Sequence, residues 1–469
     1  MPSTFFGLNT ALSGLLTNQR ALDTTNHNLA NLNTEGYTRQ RVQMSTTLPY
    51  SQPGLNNAVA PGQIGTGVQI AEYARLRDAY VDTQYRSQAA ALGQSEARST
   101  ALDQLNQLID EPGDSGLTSL LGAFWGSWQS LSTNADSPSV REGVRSAGEA
   151  LAMGFRDTHA QLVQGQTEAS NRIGSTVAEA NLLANQVNDL NQAIAKVVAV
   201  NKTPNDLLDQ RDLVIDKIAK IGNVTLTPVG NLGRVTVALG GQVLVNGATD
   251  TTSALAVDAA GNVTVGGAAA SVTDGSLRGL IDIRNTVIGG TGGYLEQLDN
   301  LVSSLMTEVN NRHAAGVGLD SSTGNAFFQG TGAADIALSA PVAASTDAIA
   351  AAAAAGDLPA GGDAAVGLAQ LKVVVLPIGT NSATLDGYWA SMVSTLGVDT
   401  DQAQRLARVQ QTVLDVAQGR RDSTSGVNMD EEVADMVRFQ QSYNAAARMI
   451  TTLDGMLETI VNRMGMVGR

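Results

Sequence analysis

Apolar residues near the start of the chain recur in alternating steps of three and four positions. Gln19 and Asn26 occupy two positions of this series, and the apolar members are Phe5, Leu8, Leu12, Leu15, Leu22 and Leu29. Such a heptad pattern predicts a helix with a narrow apolar stripe, of the kind through which coiled-coil helices pair. The turn-forming stretch 33–36 contains Gly36 and predicts the end of this helix.

The end of the chain carries a second heptad pattern, which starts at Met429 and is interrupted by Gln440 and Asp454. The stretch 430–432 is acidic, and we expect its side chains to be solvated and to favour the positive end of the helix dipole. The residues predicted to make coiled-coil contacts here are Val433, Met436, Tyr443, Ile450, Leu457 and Val461. Because neither terminal stripe has a local cover, each is the expected partner of the other.

Between the termini, the apolar period indicates first helices and then strands. Helical periodicity extends from about Asp78 to Ile221, with breaks near 111–113 and 137–138, which predicts several long antiparallel helices. Short extended segments are predicted at 41–44 and 67–70, on either side of a loop rich in Pro, Gly and Asn.

From Asn223 the apolar period changes to two, which predicts short strands joined as hairpins. The predicted strands are 224–227, 235–239, 243–245 and 263–265. A helix is expected from about Gly293 to Arg312, and one more strand at 372–376. The alanine run 350–355 lies in an Ala/Gly-rich segment whose structure the pattern leaves undecided.

These elements predict an α+β fold that is mainly α. The terminal helices are expected to pair as an antiparallel coiled coil, a long helical bundle domain follows, and a β-rich distal domain is inserted in the middle of the chain. The predicted terminal coiled-coil domain comprises 1–40 and 425–469, the long-helix core domain comprises 41–226, 275–330 and 385–424, and the β-rich variable distal domain comprises 227–274 and 331–384.

Composition narrows the class of protein. The chain has 469 residues, enough for two or three domains, but only 4% of them are aromatic. Its formal charge is −15 and it lacks a basic cluster, so we expect no nucleic acid as a partner. We expect no membrane insertion, because no apolar run approaches the ~20 residues that a bilayer requires. The N-terminus lacks the pattern of a cleaved signal peptide.

Residue patterns for catalysis or ligand binding are also missing. Cysteine is absent, and His27, His159 and His313 are too widely spaced in the sequence for a metal motif. The stretch 289–293 is Gly-rich but more typical of a turn than of a nucleotide cradle, and the acidic pair 110–111 is expected to be solvated. We therefore predict no catalytic, cofactor-binding or metal-binding residues, no cofactor, and no enzymatic activity.

One stretch resembles a known signature. Residues 28–40, which follow the Ala-Leu-Ser-Gly-Leu segment 11–15, are similar to the sequence after the N-terminal helix of bacterial flagellar rod, hook and hook-associated proteins. The signature residues are Asn28, Ala30, Asn31, Thr34, Gly36, Tyr37 and Arg39. The stretches 205–212, 313–328 and 425–443 narrow the resemblance to the family of flagellar hook-associated protein 1.

This resemblance implies a structural subunit at the junction of hook and filament, packed through its N- and C-terminal helices. It also implies the chain itself as a partner, in a ring of copies, together with the hook protein, a second hook-associated junction protein and an export chaperone on the C-terminal helix. The expected location is the extracellular flagellum, reached by flagellar type III export without a cleaved signal.

Two alternatives remain open at the level of the sequence. The chain could be another flagellar axial protein of hook, rod or filament type, or, from a different class, a secreted adhesin that uses its β-rich middle. For each stripe residue, ordinary packing within one chain is also as compatible with the pattern as a contact between subunits.

Overall fold

The computed structural model of this chain describes residues 6–49, 64–109 and 116–463. Helices dominate these ranges. They are α1 (Phe6–Ala30), α2 (Ala79–Leu108), α3 (Leu117–Thr133), α4 (Pro138–Val198), α5 (Asn205–Ile221), α6 (Ser276–Asp282), α7 (Tyr294–Ala315), α8 (Ala340–Ala344), α9 (Asp363–Ala369), α10 (Leu385–Ser425) and α11 (Met429–Arg463). A π-helix, Ile283–Ile288, directly continues α6.

The strands are short and pair antiparallel. They are β1 (Gln40–Thr46), β2 (Val68–Arg75), β3 (Val224–Val229), β4 (Arg234–Leu239), β5 (Gln242–Asn246), β6 (Thr251–Thr252), β7 (Leu255–Val257), β8 (Val263–Val265), β9 (Ala268–Ala269), β10 (Val317–Gly318), β11 (Phe328–Gln329), β12 (Ala337–Leu338), β13 (Ala350–Ala352), β14 (Leu376–Ile378) and β15 (Asn381–Ala383). The sheets have the orders β3-β4-β5-β6, β7-β8-β9, β1-β2, β10-β13, β11-β12 and β14-β15.

Two hydrophobic clusters hold these elements together. The first is formed mainly by α3, the first half of α4, α7 and α10, with Phe124, Trp128 and Phe327 among its buried aromatic side chains. The second joins the other half of α4 to α5, α6 and the strands between β4 and β8. Since α4 has 61 residues, it is about 90 Å long and contributes to both clusters.

Most of the predicted elements are confirmed. The long helices between 78 and 221, the strands at 224–227, 235–239, 243–245 and 263–265 and the helix from about Gly293 are present, as α2 to α5, as β3, β4, β5 and β8, and as α7. The extended segments near 41–44 and 67–70 pair as the hairpin strands β1 and β2. The predicted break at 137–138 is the start of α4, where Pro138 fits the first helical turn. The predicted break at 111–113 lies outside the described residues.

The predicted strand at 372–376 is wrong. A short 3₁₀ helix occupies Gln370–Val373, and β14 starts only at Leu376. Leu371 and Leu376 are buried in the first cluster, whereas Val373 and Val375 are 73% and 64% exposed. The β-branched run therefore turns so that its flanking leucines are buried and, of its three valines, only Val374 packs against the core, which local strand propensity does not anticipate.

The two stretches predicted to share a β-rich domain lie in different surroundings. Strands between 234 and 265 belong to the second cluster, whereas Ala351, Leu368 and Ile378 belong to the first. The alanine run, undecided from the sequence, provides β13, which pairs with β10 at the end of α7. None of the helices in the described ranges is both long and apolar enough to cross a membrane.

Candidate assembly site

The two terminal helices, α1 and α11, lie side by side and run in opposite directions. Asn28, near the end of α1, donates a hydrogen bond of 3.0 Å to Glu432 in the first turn of α11. At the other end of the pair, a Cβ placed on Gly7 would lie 3.6 Å from the side chain of Leu453. In an antiparallel pair of constant register, the residue numbers of any two facing residues add up to the same value. This is true of Asn28 with Glu432 and of Gly7 with Leu453, so the register is constant along the helices.

The side chains half-covered along this pair include four of the six predicted contact residues on each helix. They are Leu8, Leu15, Leu22 and Leu29 on α1, and Met436, Tyr443, Ile450 and Leu457 on α11. Phe5 and the side chain of Val461 lie outside the described residues. The contacts predicted between subunits therefore stay a prediction, while these eight side chains lie at positions consistent with one shared seam.

Other positions of the predicted stripe face solvent. Leu12 and Val433 are each 44% exposed, and Gln19, Asn26 and Gln440 are exposed as well. The covered positions between the leucines of α1 are Ala11, Asn18 and Thr25, each one residue before the predicted position. On α11, Phe439 and Leu453 are shifted in the same way, whereas Ala446 and the predicted Ala447 are both half-covered.

A second face of α1 packs on the β1–β2 hairpin. The Thr17 hydroxyl donates to the Val68 carbonyl over 3.5 Å, and the Val68 N–H donates to the Ser13 hydroxyl over 3.4 Å. Small polar side chains let the strand approach the helix closely. The hairpin therefore holds α1 from the side while α11 covers its stripe.

The signature segment that follows α1 is organised around the buried side chain of Asn28. Its Oδ1 accepts from the Gln40 N–H at 3.0 Å and from the Tyr37 hydroxyl at 2.8 Å, and its Nδ2 donates to the Gln40 carbonyl at 2.9 Å. Together with the bond to Glu432, these contacts satisfy every polar atom of the amide. Asn28 therefore joins α1, the signature segment and α11.

Other signature residues shape and anchor the turn. The Thr34 N–H donates to the Asn31 carbonyl at 3.0 Å, and Gly36 has a φ of +77°, with Leu213 3.1 Å from the position a Cβ would take. Burial, and then the charge of Asp206, raises the pKa of the Tyr37 hydroxyl above its usual range. The hydroxyl therefore stays protonated and can donate to Asn28. Ala30 ends α1 and is exposed.

Arg39 links this segment to the start of α11. Its guanidinium contacts Glu431, lies 2.6 Å from Glu432 and is 3.9 Å from Asp435. The expectation that residues 430–432 are all solvated is wrong for Glu432, which is only 2% exposed. Its two carboxylate oxygens accept from Arg39 and Asn28, so the charge is compensated by residues from the other end of the chain.

A cluster of buried ion pairs lies directly beside this segment. Asp216 of α5 accepts from Arg86 of α2 at 2.6 Å and from Arg421 of α10 at 2.7 Å. Arg75, at the end of β2, lies 2.6 Å from Asp209 and 2.7 Å from Asp212. We call these residues, with Arg77 and Asp82, the ionic joint. It connects α5 to β2, α2 and α10 next to the signature segment.

The pKa values of two aspartates in the ionic joint are shifted in opposite directions because their neighbours differ. Burial raises the pKa of Asp212, but Arg77 and Arg75 outweigh it and hold that pKa below its usual range. For Asp209, burial outweighs the nearby arginines and the Thr38 N–H, so its pKa is raised. Asp209 also accepts from Thr38 at 3.0 Å, which connects the joint to the signature segment.

Three of the stretches singled out in the sequence therefore meet in space. The segment 28–40 contacts both the stretch 205–212 and the start of α11, whereas Phe327 and Phe328 of the stretch 313–328 belong to the first cluster. The arginines Arg75, Arg77, Arg86 and Arg421 were not predicted from the sequence. The alternation of Arg75 and Arg77 at the end of a strand is the one local signal that could have drawn attention to them.

Of the histidines, His27 belongs to this site, with Nδ1 3.0 Å from the Tyr37 hydroxyl and Nε2 3.8 Å from the Asp206 carboxylate, whereas His313 is separate from it. His313 is 1% exposed at the end of α7, with Nδ1 2.7 Å from the Asn325 carbonyl, and Nε2 accepts from the Ala350 N–H at 2.9 Å. The Nδ1 proton therefore donates to Asn325, and burial lowers the pKa of the ring. Within the described ranges, no group of His, Asp and Glu side chains could hold a metal ion.

A pH dependence of stability follows from His313. Because its pKa in the folded state is lower than the ordinary value of 6.5, the unfolded chain binds more protons below that pH. The stability is full above about pH 6.5 and falls by up to about 1.4 kcal/mol per pH unit until the pH reaches the folded pKa. Thermal melting midpoints recorded at a series of pH values from about 8 to about 5 should show this decline.

His313→Gln should flatten this part of the profile, because the ring no longer gains a proton on unfolding. His159→Gln, a change of the same kind at a half-covered position of α4, serves as the control and should keep the decline. An unchanged slope in His313→Gln would show that the buried ring does not cause it.

Comparison with protein families gives three matches. A family model for the helical domain of flagellar hook-associated protein FlgK matches residues 102–328. A model for the C-terminal part of the flagellar basal body rod FlgEFG protein matches residues 418–464, and one for the flagella basal body rod protein matches residues 8–38. The last two matches cover the terminal helix pair and most of the signature segment.

Whole proteins show the same similarity. Flagellar hook-associated protein 1 of Bacillus subtilis is 33% identical over 522 aligned positions, which cover 100% of both chains. The protein of that name from Salmonella typhimurium is 32% identical over 340 positions, covering 68% of this chain and 59% of the relative. The solved structure of the flagellar hook junction protein FlgK from Burkholderia pseudomallei has a TM-score of 0.60 at 16% identity, covering 72% of this chain and 99% of that one, which shows a shared fold.

Proposed function

Because this chain belongs to the family of flagellar hook-associated protein 1, we propose that it is a structural subunit that connects the hook of the bacterial flagellum to the filament. The observation that carries the proposal is the paired arrangement of the two chain ends, α1 against α11, held by Arg39, Asn28 and Glu432. Such a pair presents a long helical surface that neighbouring subunits can cover.

The surface of the terminal pair supports assembly. Apolar side chains outside the shared seam remain exposed, and they are Leu12, Leu16, Met429, Val433, Val437, Met449 and Met456. Apolar side chains gathered on one exposed element are typical of a protein–protein contact. We propose that α1 and α11 form an antiparallel coiled coil whose outer faces pack against those of neighbouring copies and hook subunits.

The domain organisation forms part of this proposal. Residues 1–40 and 425–469 are the terminal coiled-coil domain, and the long-helix core domain comprises 41–226, 275–330 and 385–424. The ionic joint lies within the core domain, and its Asp209 accepts from the Thr38 N–H of the terminal domain. We propose that this link helps to orient the terminal pair relative to the core domain.

We further propose a ring of copies with the hook protein on one side and a second hook-associated junction protein on the other. The chain reaches the extracellular flagellum through flagellar type III export without a cleaved signal. An export chaperone covers α11 beforehand, and the exposed Met429, Val433, Met449 and Met456 are the apolar side chains it shields. Membership of a family of structural flagellar proteins supports a role without catalysis.

Electron microscopy of a strain that lacks this protein tests the proposal. Cells without the gene should carry hooks but no attached filaments, and a plasmid copy of the gene should restore the filaments. Missing hooks would indicate a hook or rod subunit instead. Normal filaments and motility, together with loss of surface binding, would favour an adhesin.

A further inference from the structure

Two long helices meet at a short break next to the terminal pair. Helix α10 ends at Ser425 and α11 begins at Met429, so residues 426–428 connect α10 to the terminal pair. The Gly426 N–H donates to the Asp422 carbonyl at 2.8 Å, and a Cβ on Gly426 would lie 2.5 Å from that oxygen. A short segment that contains a glycine can act as a hinge, because small changes of its backbone angles reorient the helices on either side.

Arg39 contacts both sides of this break. Its N–H donates to the carbonyl of Ser425, the last residue of α10, at 2.9 Å. Its guanidinium contacts Glu431 and lies 2.6 Å from Glu432, both in the first turn of α11. Its own carbonyl accepts from the N–H of Leu76, directly after β2, at 2.9 Å. One residue of the signature segment is therefore bonded to the end of α10, to the start of α11 and to the chain after β2.

The chemistry of these contacts favours one fixed geometry. The side chain of Arg39 is 17% exposed and that of Glu432 is 2% exposed, so water and salt compete little for this ion pair. A guanidinium is planar and binds carboxylates in set directions. Because the backbone of Arg39 is bonded to α10, a rotation of α11 relative to α10 would break its contacts with Glu431 and Glu432.

The break also borders an open groove. This groove has a volume of about 810 Å³ and lies between the turn 31–38 and the helices α2, α5 and α10. Gly426 and Val427 lie at its edge, Glu35 belongs to one wall, and Lys217 belongs to the other. A rotation at the break can widen or narrow the groove without displacing a packed core. The direction of the terminal pair therefore depends on polar contacts such as those of Arg39.

We propose that Arg39 is a positioning residue that sets the angle between the terminal pair and the long helices, and that residues 426–428 are the hinge that it holds in place. The inference rests on the proposed function for its consequence in the cell. Identical contacts in a ring require that every copy has the same angle. A chain with a free hinge has a range of angles and loses conformational entropy when it enters the ring.

Distances between pairs of spin labels test the inference. The chain has no cysteine, so two introduced cysteines carry the labels in the purified full chain. Thr412→Cys with Gln441→Cys spans the break, and Asn9→Cys with Gln441→Cys lies within the terminal pair, all at exposed positions. Arg39→Gln should broaden the distance distribution across the break severalfold. It should leave the distribution within the terminal pair as narrow as in the chain that keeps Arg39.

Two further variants separate the role of Arg39 from a general loss of structure. Arg20→Gln makes the same change in an exposed ion pair of α1 with Asp23 and should leave both distributions unchanged. Glu431→Gln removes only the exposed partner of Arg39 and should give a smaller broadening across the break. If Arg39→Gln also broadens the distribution within the terminal pair, Glu431→Gln decides, and its unchanged distribution would overturn the inference.

The inference is likewise overturned if the distribution across the break stays narrow in Arg39→Gln, or if it is already as broad while Arg39 is present. These measurements do not depend on the proposed function. If cells without the gene carry normal filaments, the junction role fails, whereas the distance distributions still report on the hinge. In cells, Arg39→Gln should lower the fraction of hooks with filaments severalfold, and an unchanged fraction despite a broadened distribution would show that assembly does not require the fixed angle.

Discussion

Asp216→Ala is expected to weaken the ionic joint by about 3–5 kcal/mol, the usual effect of removing one partner from a buried ion pair. The carboxylate accepts from Arg86 and Arg421, and both arginines are less than 10% exposed. Without it, two buried guanidinium groups lose their nearest anion. Amide hydrogen exchange in α2, α5 and α10 should accelerate, and the melting midpoint should fall by several degrees.

Asp415→Ala provides the matched control, because Asp415 is an exposed aspartate of α10 that contacts only Gln411 within the described residues. Its effect should stay within about 0.5 kcal/mol. If both variants exchange at the wild-type rate, the ionic joint does not stabilise the connection of these helices.

Glu432→Ala should loosen the start of α11 from α1. The change removes an acceptor from Arg39 and from Asn28, and a hydrogen bond to a charged group contributes about 1.5–3 kcal/mol. Arg39 keeps its direct contact with Glu431, whereas the remaining aspartates of Arg86 and Arg421 lie 3.7 Å and 3.4 Å away, so the loss is smaller than in the ionic joint. Amide exchange near the start of α11 should therefore become about tenfold to hundredfold faster, which mass spectrometry measures.

The functional readout of Glu432→Ala is swimming in soft agar, which should decrease because the terminal pair carries the proposed assembly surface. Asp430→Ala removes a neighbouring carboxylate that is exposed, and it should behave like the wild type in both measurements. Faster exchange with unchanged motility would show that the terminal pair is not required for assembly. Unchanged exchange would show that Glu432 does not hold the helices together.

Both terminal helices were predictable because a heptad pattern is a local signal. The exact seam positions were harder to predict. Residues three and four positions after a seam residue lie on nearly the same face of a helix, so either of them can be the next seam residue. In α1 the apolar Leu12 suggested one choice, whereas the covered positions are Ala11, Asn18 and Thr25, two of them polar. The structure settles the register within the chain, because the β1–β2 hairpin and α11 approach α1 from fixed directions.

The contacts between the signature segment and the ionic joint were predictable only in part. Stretches 28–40 and 205–212 were recognised by resemblance, but their meeting through Thr38 and Asp209 was not. The arginines that complete the ionic joint lie far from 205–212 in the chain, at 75, 77, 86 and 421. When the partner of a charged residue lies far away in the chain, the neighbouring sequence gives no sign of it. For this reason Glu432 was also expected to be solvated.

The sequence by itself determined the long helices, six of the fifteen strands of the described ranges and the family, because periodicity, turn residues and signature peptides are properties of short segments. Only the tertiary structure decided which stripe positions are covered, that Glu432 is buried, and that the segments around 351 and 378 join the first hydrophobic cluster while the strands between 234 and 265 join the second. These features depend on contacts between residues far apart in the chain. Burial and charge compensation are set by such contacts, and no short segment encodes them alone.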